Sequence, residues 1–345
     1  MAIRIEPLDT RTASDSLLHE LDDYYVAVEA EDMPGDPPTP RAMRIAEWRN
    51  LPDFQRIPRW VLRDGDDIAG SAVAVYDLQQ NLQNGFARIH VHPQRRRQGL
   101  GRVLAGSVLD HLAGEGRVRV DTWVKDGEVP GETMAADFGM KSVYGEKRSR
   151  LNIAELDLEL MRSWVDRAKE RASDYELLYL KSPVPEEHLE RLSALSAVMN
   201  TAPREDFEEE DEMVTPEMWR DIEDKTAAAR GRLHNLVAIH RPTGEYAGYT
   251  QIKTQDLQPD LAWQHDTGVD PSHRNRGLGR WLKAAMILRI VADYPSIARV
   301  DTFNAGSNAP MLNINVVMGF RPIHLSNAWQ GETATALERV AHDRA

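Results

Sequence analysis

Apolar residues recur every three or four positions along several stretches of the chain, which is the period of an amphipathic helix. One such stretch lies near the middle, where Leu156, Leu160, Trp164 and Ala168 follow one another at four-residue spacing. Its acidic residues come early and its basic residues come late, as the helix dipole favours. We predict a helix here, within residues 153–173, that joins two halves of the chain.

Each half shows the same order of predicted elements. An opening strand precedes a helix, which covers residues 13–26 in the first half and 185–199 in the second. A polar, acidic loop and another helix follow, and then two strands that meet at a turn. A further strand leads into a glycine-rich segment, after which come a helix and another strand. This order predicts a mixed α/β (α+β) fold with antiparallel strands before the glycine-rich turn.

The two halves also match residue by residue. Residues 91–104 resemble residues 269–282 at an offset of 178, and Gly70 matches Gly248 at the same offset. Later landmarks, such as Gly139 and Gly319, match at an offset of 180. Such agreement indicates a tandem repeat. We therefore predict two copies of one fold, with an N-terminal domain at 1–152, a linker helix at 153–173 and a C-terminal domain at 174–345.

Composition excludes several classes of protein. The chain has 345 residues, a formal net charge of −13 and no cysteine. The lack of cysteine excludes disulfide scaffolds, thiolate metal sites and cysteine nucleophiles. The acidic balance argues against nucleic acid as a partner, no apolar run is long enough for a membrane span, and the first residues lack the apolar core of a signal peptide. We expect a cytoplasmic protein without metal, either a monomer or a weak dimer.

The glycine-rich segment has the features of a phosphate-binding turn. In each copy a strand ends at Pro93 or Pro271, and Arg-x-x-Gly-x-Gly then leads into a helix. Helix N-termini carry unpaired amides and the positive end of the dipole, and glycine lets a pyrophosphate approach them. The segment lacks the third glycine of a dinucleotide-binding motif and the Lys-Ser or Lys-Thr of a Walker loop. The remaining option is a diphosphate bound by a short loop without metal.

The full pattern, Val-x-Pro-x-x-Arg-x-x-Gly-x-Gly-x-x-Leu, resembles the acyl-CoA signature of the GNAT acetyltransferase superfamily, with Asp270 or His92 in its second position. It occurs in both copies. Residues 308–320 of the second copy, which include Asn315 and Gly319-Phe320, resemble that family's later helix-and-strand motif. The resemblance covers nearly the whole chain as a tandem pair, like the mycothiol-synthase type of double GNAT protein. It implies two mixed sheets, each splayed open after its fourth strand and flanked by helices.

The resemblance also implies acetyl-CoA (coenzyme A) as the acyl donor. Its pantetheine arm would pair with the end of the strand before the turn, and its pyrophosphate would contact the amides of the turn. Asn304 and Asn308 would serve the pantetheine or the local backbone. The residues implied in the first copy are Ile89, His90, Val91, Arg96, Arg97, Gln98, Gly99, Leu100 and Gly101. Those implied in the second copy are Thr267, Gly268, Val269, Arg274, Asn275, Arg276, Gly277, Leu278, Gly279, Asn304 and Asn308.

Members of this family often carry a catalytic base on the strand before the turn. Counting by twos back from Val269 gives Thr267 and then His265 on one face, which makes His265 the candidate base. A packed or surface imidazole is the alternative interpretation of His265. Asp266 becomes the candidate if a bulge changes the face, and it could equally be the structural partner of an arginine. The first copy has Ala87 in place of His265 and therefore no base there.

The tyrosine that often acts as general acid in this family is Asn315 in the second copy and Ala135 in the first. Asn315 could donate a hydrogen bond to the sulfur or the carbonyl, and the thiolate would leave without an acid. We expect the C-terminal copy to transfer an acetyl group to a primary amine of a small molecule. The alternative is a non-catalytic acyl-CoA-binding or regulatory protein with both copies degenerate. The acidic segment 205–212 would favour a cationic amine if it borders the acceptor, or it is a solvated run of charge.

Overall fold

The computed structural model describes residues 3–342 of the chain. The strands are β1 (Ile3–Leu8), β2 (Gln55–Arg56), β3 (Arg59–Asp64), β4 (Asp67–Asp77), β5 (Asn84–Val91), β6 (Arg119–Lys125), β7 (Lys141–Asn152), β8 (Tyr175–Lys181), β9 (Gly231–His240), β10 (Glu245–Gln255), β11 (Leu261–Val269), β12 (Arg299–Ala305) and β13 (Arg321–Glu332). The helices are α1 (Asp15–Asp32), α2 (Arg41–Arg49), α3 (Leu100–Gly114), α4 (Val129–Asp137), α5 (Leu158–Arg171), α6 (Glu186–Ser196), α7 (Pro216–Ala228), α8 (Leu278–Asp293), α9 (Ala309–Met318) and α10 (Thr333–His342).

The chain forms two compact units that are not two continuous stretches. Unit 1 consists of Met1–Gly145, Asp206–Glu210 and Ser326–Ala345, and unit 2 consists of Glu146–Glu205 and Asp211–Leu325. These units differ from the continuous domains predicted at 1–152 and 174–345. The physical reason is that two long strands, β7 and β13, each contribute their first half to one unit and their second half to the other.

The sheet of unit 1 is mixed. Its order is β1, β3, β4, β5 and β6, and the second half of β13 pairs with β6 at the end. Only the β5–β6 pairing is parallel among these neighbours. Helices α3 and α10 pack with one face of the sheet, where Leu62 and Leu104 lie in one core. Helices α1 and α2 pack with the opposite face, where Val61 is buried.

The sheet of unit 2 repeats this plan. Its order is the second half of β7, then β12, β11, β10, β9 and β8, and the β11–β12 pairing is parallel. Helices α5 and α8 form the core on one face, and α6 and α7 form the core on the other. Met161 of α5 is fully buried in the first of these cores. The helix predicted as a linker is therefore part of unit 2 and builds its core.

In each sheet, a buried aspartate accepts hydrogen bonds from side chains of the neighbouring end strand. Asp301 on β12 is fully buried, and it accepts hydrogen bonds from Arg148 at 2.6 Å and from Arg150 at 2.7 Å, both on β7. The matching Asp121 on β6 instead accepts a hydrogen bond from Gln330 of β13 at 2.8 Å. Burial raises the pKa of Asp121 to about 6, and the bond from Gln330 opposes that rise. The two copies thus use different partners at the same place in the sheet.

Candidate functional site

Both sheets split where the resemblance places the pantetheine arm. Strands β11 and β12 pair only through Leu261–Gln264 on β11, although β11 continues to Val269. Strands β5 and β6 pair only through Asn84–Phe86 on β5, although β5 continues to Val91. The predicted splay is therefore present in both copies. Beyond each split, the strand end runs directly into the glycine-rich turn.

The glycine-rich turns of the two copies have the same backbone conformation. The φ angles are +61° at Arg97 and +77° at Gly99, against +63° at Asn275 and +83° at Gly277. A Cβ atom added to either glycine would meet no described atom within 4 Å, and no side chain caps the helix that follows. Each turn therefore presents open space beside the free amides of a helix N-terminus, which suits a diphosphate.

The first arginine of each turn holds the turn against its own strand. Arg274 Nε donates to the carbonyl oxygen of Val269 at 3.0 Å, and Arg96 Nε donates to that of Val91 at 3.3 Å. The rest of the Arg274 guanidinium bonds to Thr201, while that of Arg96 pairs with Glu31 at 2.7 Å. Both side chains therefore position the turn, and contact between them and the diphosphate stays a prediction.

Strand β11 contains a β-bulge that β5 lacks. Thr250 pairs with Thr267 and Ile252 pairs with Gln264, so two residues of β11 oppose one residue of β10. The Gln264 side chain stabilises the bulge, because its Nε2 donates to the carbonyl oxygen of Gln251 at 2.8 Å and to that of His265 at 3.2 Å. The β4–β5 register runs without a shift from Gly70–Val91 to Val75–Phe86. The bulge is a structural difference between the copies.

The bulge changes which residues share a face. Thr267 bonds to Thr250 at 2.7 Å, and Val269 packs against the core under α8. Asp266 bonds instead to Tyr249, whose ring lies in the core of the α6 and α7 face. The two bulge residues, His265 and Asp266, therefore face α6 and α7, opposite to Thr267 and Val269. Counting by twos does not hold across this segment, because one extra residue interrupts the alternation.

His265 lies in a recess. Its side chain is exposed, yet desolvation lowers the pKa of the imidazole, and the charge of Lys253 lowers it further. Asp266 acts in the opposite direction and only partly offsets the desolvation. A side chain that is open to solvent and still desolvated must line a concave surface. His265 is therefore a neutral imidazole at neutral pH, able to accept a proton.

Asp266 has a tyrosine as its partner. Tyr249 donates its hydroxyl proton to Asp266 Oδ2 at 2.8 Å, and the Tyr249 ring is fully buried. Burial and the nearby carboxylate raise the pKa of Tyr249, so the tyrosine keeps its proton and orients the carboxylate. This differs from the arginine partner considered from the sequence.

Of the three asparagines predicted from the later motif, one caps a helix and the other two bond to each other. Asn308 caps α9 by accepting a hydrogen bond from the amide of Met311 at 3.3 Å. Asn315 is buried, and its Nδ2 donates to Asn304 Oδ1 at 2.5 Å. Its Oδ1 has no hydrogen-bond partner among the described residues. That buried acceptor fits a donor brought by a ligand, such as an amide of a pantetheine arm.

Two features on the same sheet face were not found from the sequence. Trp263 and Phe303 stack with their ring centroids 5.8 Å apart, and the Arg148 guanidinium lies 4.7 Å from the Trp263 ring. Glu146 shares the face, because it alternates with Arg148 along β7 and pairs with Ala305. Arg148 and Glu146 come from the strand that ends the first copy in sequence, so no motif of the second copy could point to them.

Glu146 is a carboxyl group with a strongly shifted ionisation. It is half-buried, and burial raises its pKa to about 7. Within residues 3–342 its carboxylate forms no ion pair, and burial is the sole cause of the shift. Such groups occur often at functional sites, so Glu146 joins His265 and Asp266 as a residue for chemistry or for binding a cation.

We expect Glu146→Gln to stabilise the protein at pH 8 and not at pH 4. In the folded chain the Glu146 pKa is about 7, above its ordinary value of 4.5. Its contribution to stability is therefore complete below pH 4.5 and is lost as pH rises through 7. The difference in Tm between variant and wild type should grow between these limits. Melting curves from pH 4 to 8 measure it, and a constant difference would contradict the shifted pKa.

The acidic segment 205–212 lies elsewhere than predicted. Residues 206–210 belong to unit 1, where Glu208 pairs with Arg119 at 2.7 Å and the Glu210 amide donates to Asn81 Oδ1 at 2.7 Å. The middle of the segment, residues 206–210, is therefore not part of the compact unit that carries His265, whereas Glu205, Asp211 and Glu212 are. Sequence position within the second copy was a poor guide, because the loop returns to the first.

Comparisons with known proteins agree with this geometry. The sequence profile of the acetyltransferase (GNAT) family matches residues 16–136 and 197–309. No curated protein matches the chain in a direct sequence comparison. No helix among residues 3–342 is both long enough and apolar enough to cross a membrane.

Several solved structures share the fold. A tandem GNAT protein from the clavulanic acid biosynthesis pathway, solved without AcCoA, is 22% identical with a TM-score of 0.78, over 96% of this chain and 99% of its own. A GCN5-related N-acetyltransferase from Sphaerobacter thermophilus is 14% identical with a TM-score of 0.66, over 95% and 96%. A putative acetyltransferase from Pyrococcus horikoshii is 10% identical with a TM-score of 0.55, over 96% and 89%. With two profile matches, two split sheets and two matching glycine turns, the chain belongs to the acetyltransferase (GNAT) family, as a tandem member with two copies of its fold.

Proposed function

We propose that this protein is an acetyl-CoA-dependent N-acetyltransferase that acts on a primary amine of a small molecule, with its chemistry in the second copy. The observation that carries the proposal is the bulge of β11. It brings His265 and Asp266 together in a recess beside the split, next to the turn at Arg274–Gly279. The first copy has the split and the turn but neither the bulge nor a base at Ala87.

The residues of the second copy supply what amide formation needs. Acetyl-CoA would supply the acyl group, held by the backbone of Thr267–Val269 and the amides up to Gly279. The neutral His265 takes a proton from the substrate ammonium, directly or through one water, and the resulting neutral amine attacks the thioester carbonyl. The second proton of that nitrogen passes to solvent as the C–S bond breaks. Asp266, oriented by Tyr249, stabilises the imidazolium that results. Since Asn315 stands at the place of the usual acid, the thiolate leaves without protonation by the protein.

The face around His265 favours a cationic acceptor. Trp263 and Phe303 provide a flat apolar surface, and Phe303 is exposed. Two carboxyl groups, Asp266 and Glu146, lie on the same face and would attract an ammonium group. Cationic amines such as polyamines, aminoglycosides and basic amino acids are the substrates to test first.

Release of free CoA thiol from acetyl-CoA, measured over a panel of these amines, tests the proposal. We expect turnover with at least one amine and none with its N-acetylated form. Tight CoA binding without turnover on any amine would favour the other candidate, an acyl-CoA-binding protein without activity. The missing tyrosine supports that candidate, while His265 and the bulge support the enzyme.

A further inference from the structure

The recess of the first copy carries basic groups where the second copy carries His265 and Asp266. Arg59 on β3 and Arg88 on β5 both pair with Val73 on β4, so their side chains rise from one face and flank that valine. His90 pairs with Ser71 one step along the same face. The ring of Tyr25, from α1, lies 6.0 Å from the His90 ring. These groups form one cluster, the Arg88 recess, defined by Arg59, Arg88, His90 and Tyr25.

The two arginines of the Arg88 recess differ in their exposure to solvent. The Arg59 side chain is buried. Arg88 is exposed, yet desolvation lowers its pKa, which places it on a concave wall as for His265. Desolvation and the neighbouring arginines lower the pKa of His90 to about 3, and its buried Nδ1 has no hydrogen-bond partner among the described residues. His90 is thus a neutral ring with one polar atom unused.

Among residues 3–342, no carboxylate pairs with either of the two guanidinium groups. Arg59 bonds to the Tyr25 hydroxyl at 2.6 Å and lies 5.3 Å from the Trp48 ring, and these contacts leave its charge in place. Arg88 lies 5.3 Å from the Phe86 ring, and no acidic side chain contributes to its pKa shift. Two acidic residues of α1 form salt bridges with other arginines, Glu29 with Arg44 and Glu31 with Arg96. Desolvated cations without a counter-charge are costly, and an anionic ligand would remove that cost.

The corresponding positions of the second copy have a different character. Gln251 stands at the place of Val73, and its neighbours on the two adjacent strands are Asn235 and the bulge of His265 and Asp266. Asn235 and Gln251 bond to each other at 2.8 Å. One copy therefore presents an acid and a neutral base, and the other presents two arginines. The two copies therefore present charges of opposite sign at equivalent positions of the fold.

We propose that the Arg88 recess binds a carboxylate anion. Two N–H groups on one edge of a guanidinium match the two oxygens of a carboxylate. Arg88 is exposed and would contact the anion, and the buried Arg59 adds a second positive charge on the same face. Strand β5 continues from Arg88 to the turn at Arg96–Gly101, so the carboxylate has two possible sources. It is either a free small acid or the terminal carboxylate of an acyl-CoA bound at that turn.

Isothermal titration calorimetry tests the proposal with three probes: glutarate, glutaryl-CoA and pentanoyl-CoA. The acyl chain of pentanoyl-CoA has the same length as that of glutaryl-CoA but no terminal carboxylate. The acyl-CoA titrations use a Gly277→Glu background, in which only the turn of the first copy remains. We expect Arg88→Gln to weaken binding of the carboxylate probe by about 10–100-fold, the loss typical of one charge-assisted hydrogen-bonding group. The affinity of Arg88→Lys should fall between those of the parent and of Arg88→Gln, because lysine keeps the charge but cannot form two parallel hydrogen bonds. Arg162→Gln on α5, an exposed arginine far along the chain, is the control and should bind like the parent.

The probes distinguish the sources. Binding of glutarate alone assigns a free acid, whereas tighter binding of glutaryl-CoA than of pentanoyl-CoA, lost on adding Gly99→Glu, assigns an acyl-CoA. The proposal is overturned if glutarate does not bind and the two acyl-CoAs bind equally. It is also overturned if Arg88→Gln, folded by circular dichroism, binds the carboxylate probe as tightly as its parent. Neither result depends on turnover, so the proposed activity of the second copy is judged separately.

Discussion

Gly277→Glu should reduce acetyl-CoA turnover to the uncatalysed background. The glycine has a φ of +83° and faces open space beside the N-terminus of α8, where a diphosphate would approach the amides. A glutamate there adds both bulk and negative charge at the point of approach. Thiol release with the best amine of the panel measures the effect.

The duplicated fold supplies a matched control for this change. Gly99 has a φ of +77° and equally open surroundings, so Gly99→Glu carries the same backbone strain and the same added charge. It should remove one equivalent of CoA from a binding titration and slow turnover far less than Gly277→Glu does. Gly277→Ala isolates the strain, about 1–2 kcal/mol, from the charge. If Gly99→Glu stops turnover and Gly277→Glu does not, the chemistry belongs to the first copy.

His265→Ala should lower kcat/KM by roughly 10²–10⁴, the usual contribution of a general base. The wild-type rate should rise with pH along a limb below pH 6.5, because desolvation lowers the His265 pKa and the base is the neutral form. The variant should lose that limb and keep only the rise due to ionisation of the amine. CoA affinity should hardly change, since the substitution leaves the residues of the turn at Arg274–Gly279 untouched.

The position of the limb also separates His265 from its competitors. A limb near pH 7 that disappears in Glu146→Gln would assign the base to Glu146, whose pKa is about 7. Asp266→Asn tests the carboxylate that faces the imidazole. A rate and pH profile like the wild type for all three variants would leave positioning of an already neutral amine as the mechanism.

Local patterns predicted the glycine turns, comparison of the two halves predicted the repeat, and the resemblance to the GNAT family implied the split sheets. The sequence raised a bulge of β11 only as an alternative, since one inserted residue leaves the alternation of Thr267 and Val269 intact on its own side. The partners of Asp301 were also out of reach, because Arg148 and Arg150 lie about 150 positions earlier along the chain. Glu146 was out of reach for the same reason, because it lies on the same strand, β7. The acidic segment was assigned to the second copy by its number alone, while Glu208 and Glu210 contact Arg119 and Asn81 of the first.

The division of β7 and β13 between the units has a consequence for how the protein is made. A ribosome releases Met1–Gly145 first, but the strand that pairs with β6, Ser326–Glu332, is made 180 residues later. At a typical synthesis rate this interval is roughly 10–35 s. During this interval, the edge of β6 that does not pair with β5 has no partner strand, and the surface of α3 that packs against α10 is uncovered. An unpaired strand edge and an uncovered core surface make a nascent chain prone to aggregation. The first copy to emerge is therefore the last to be completed.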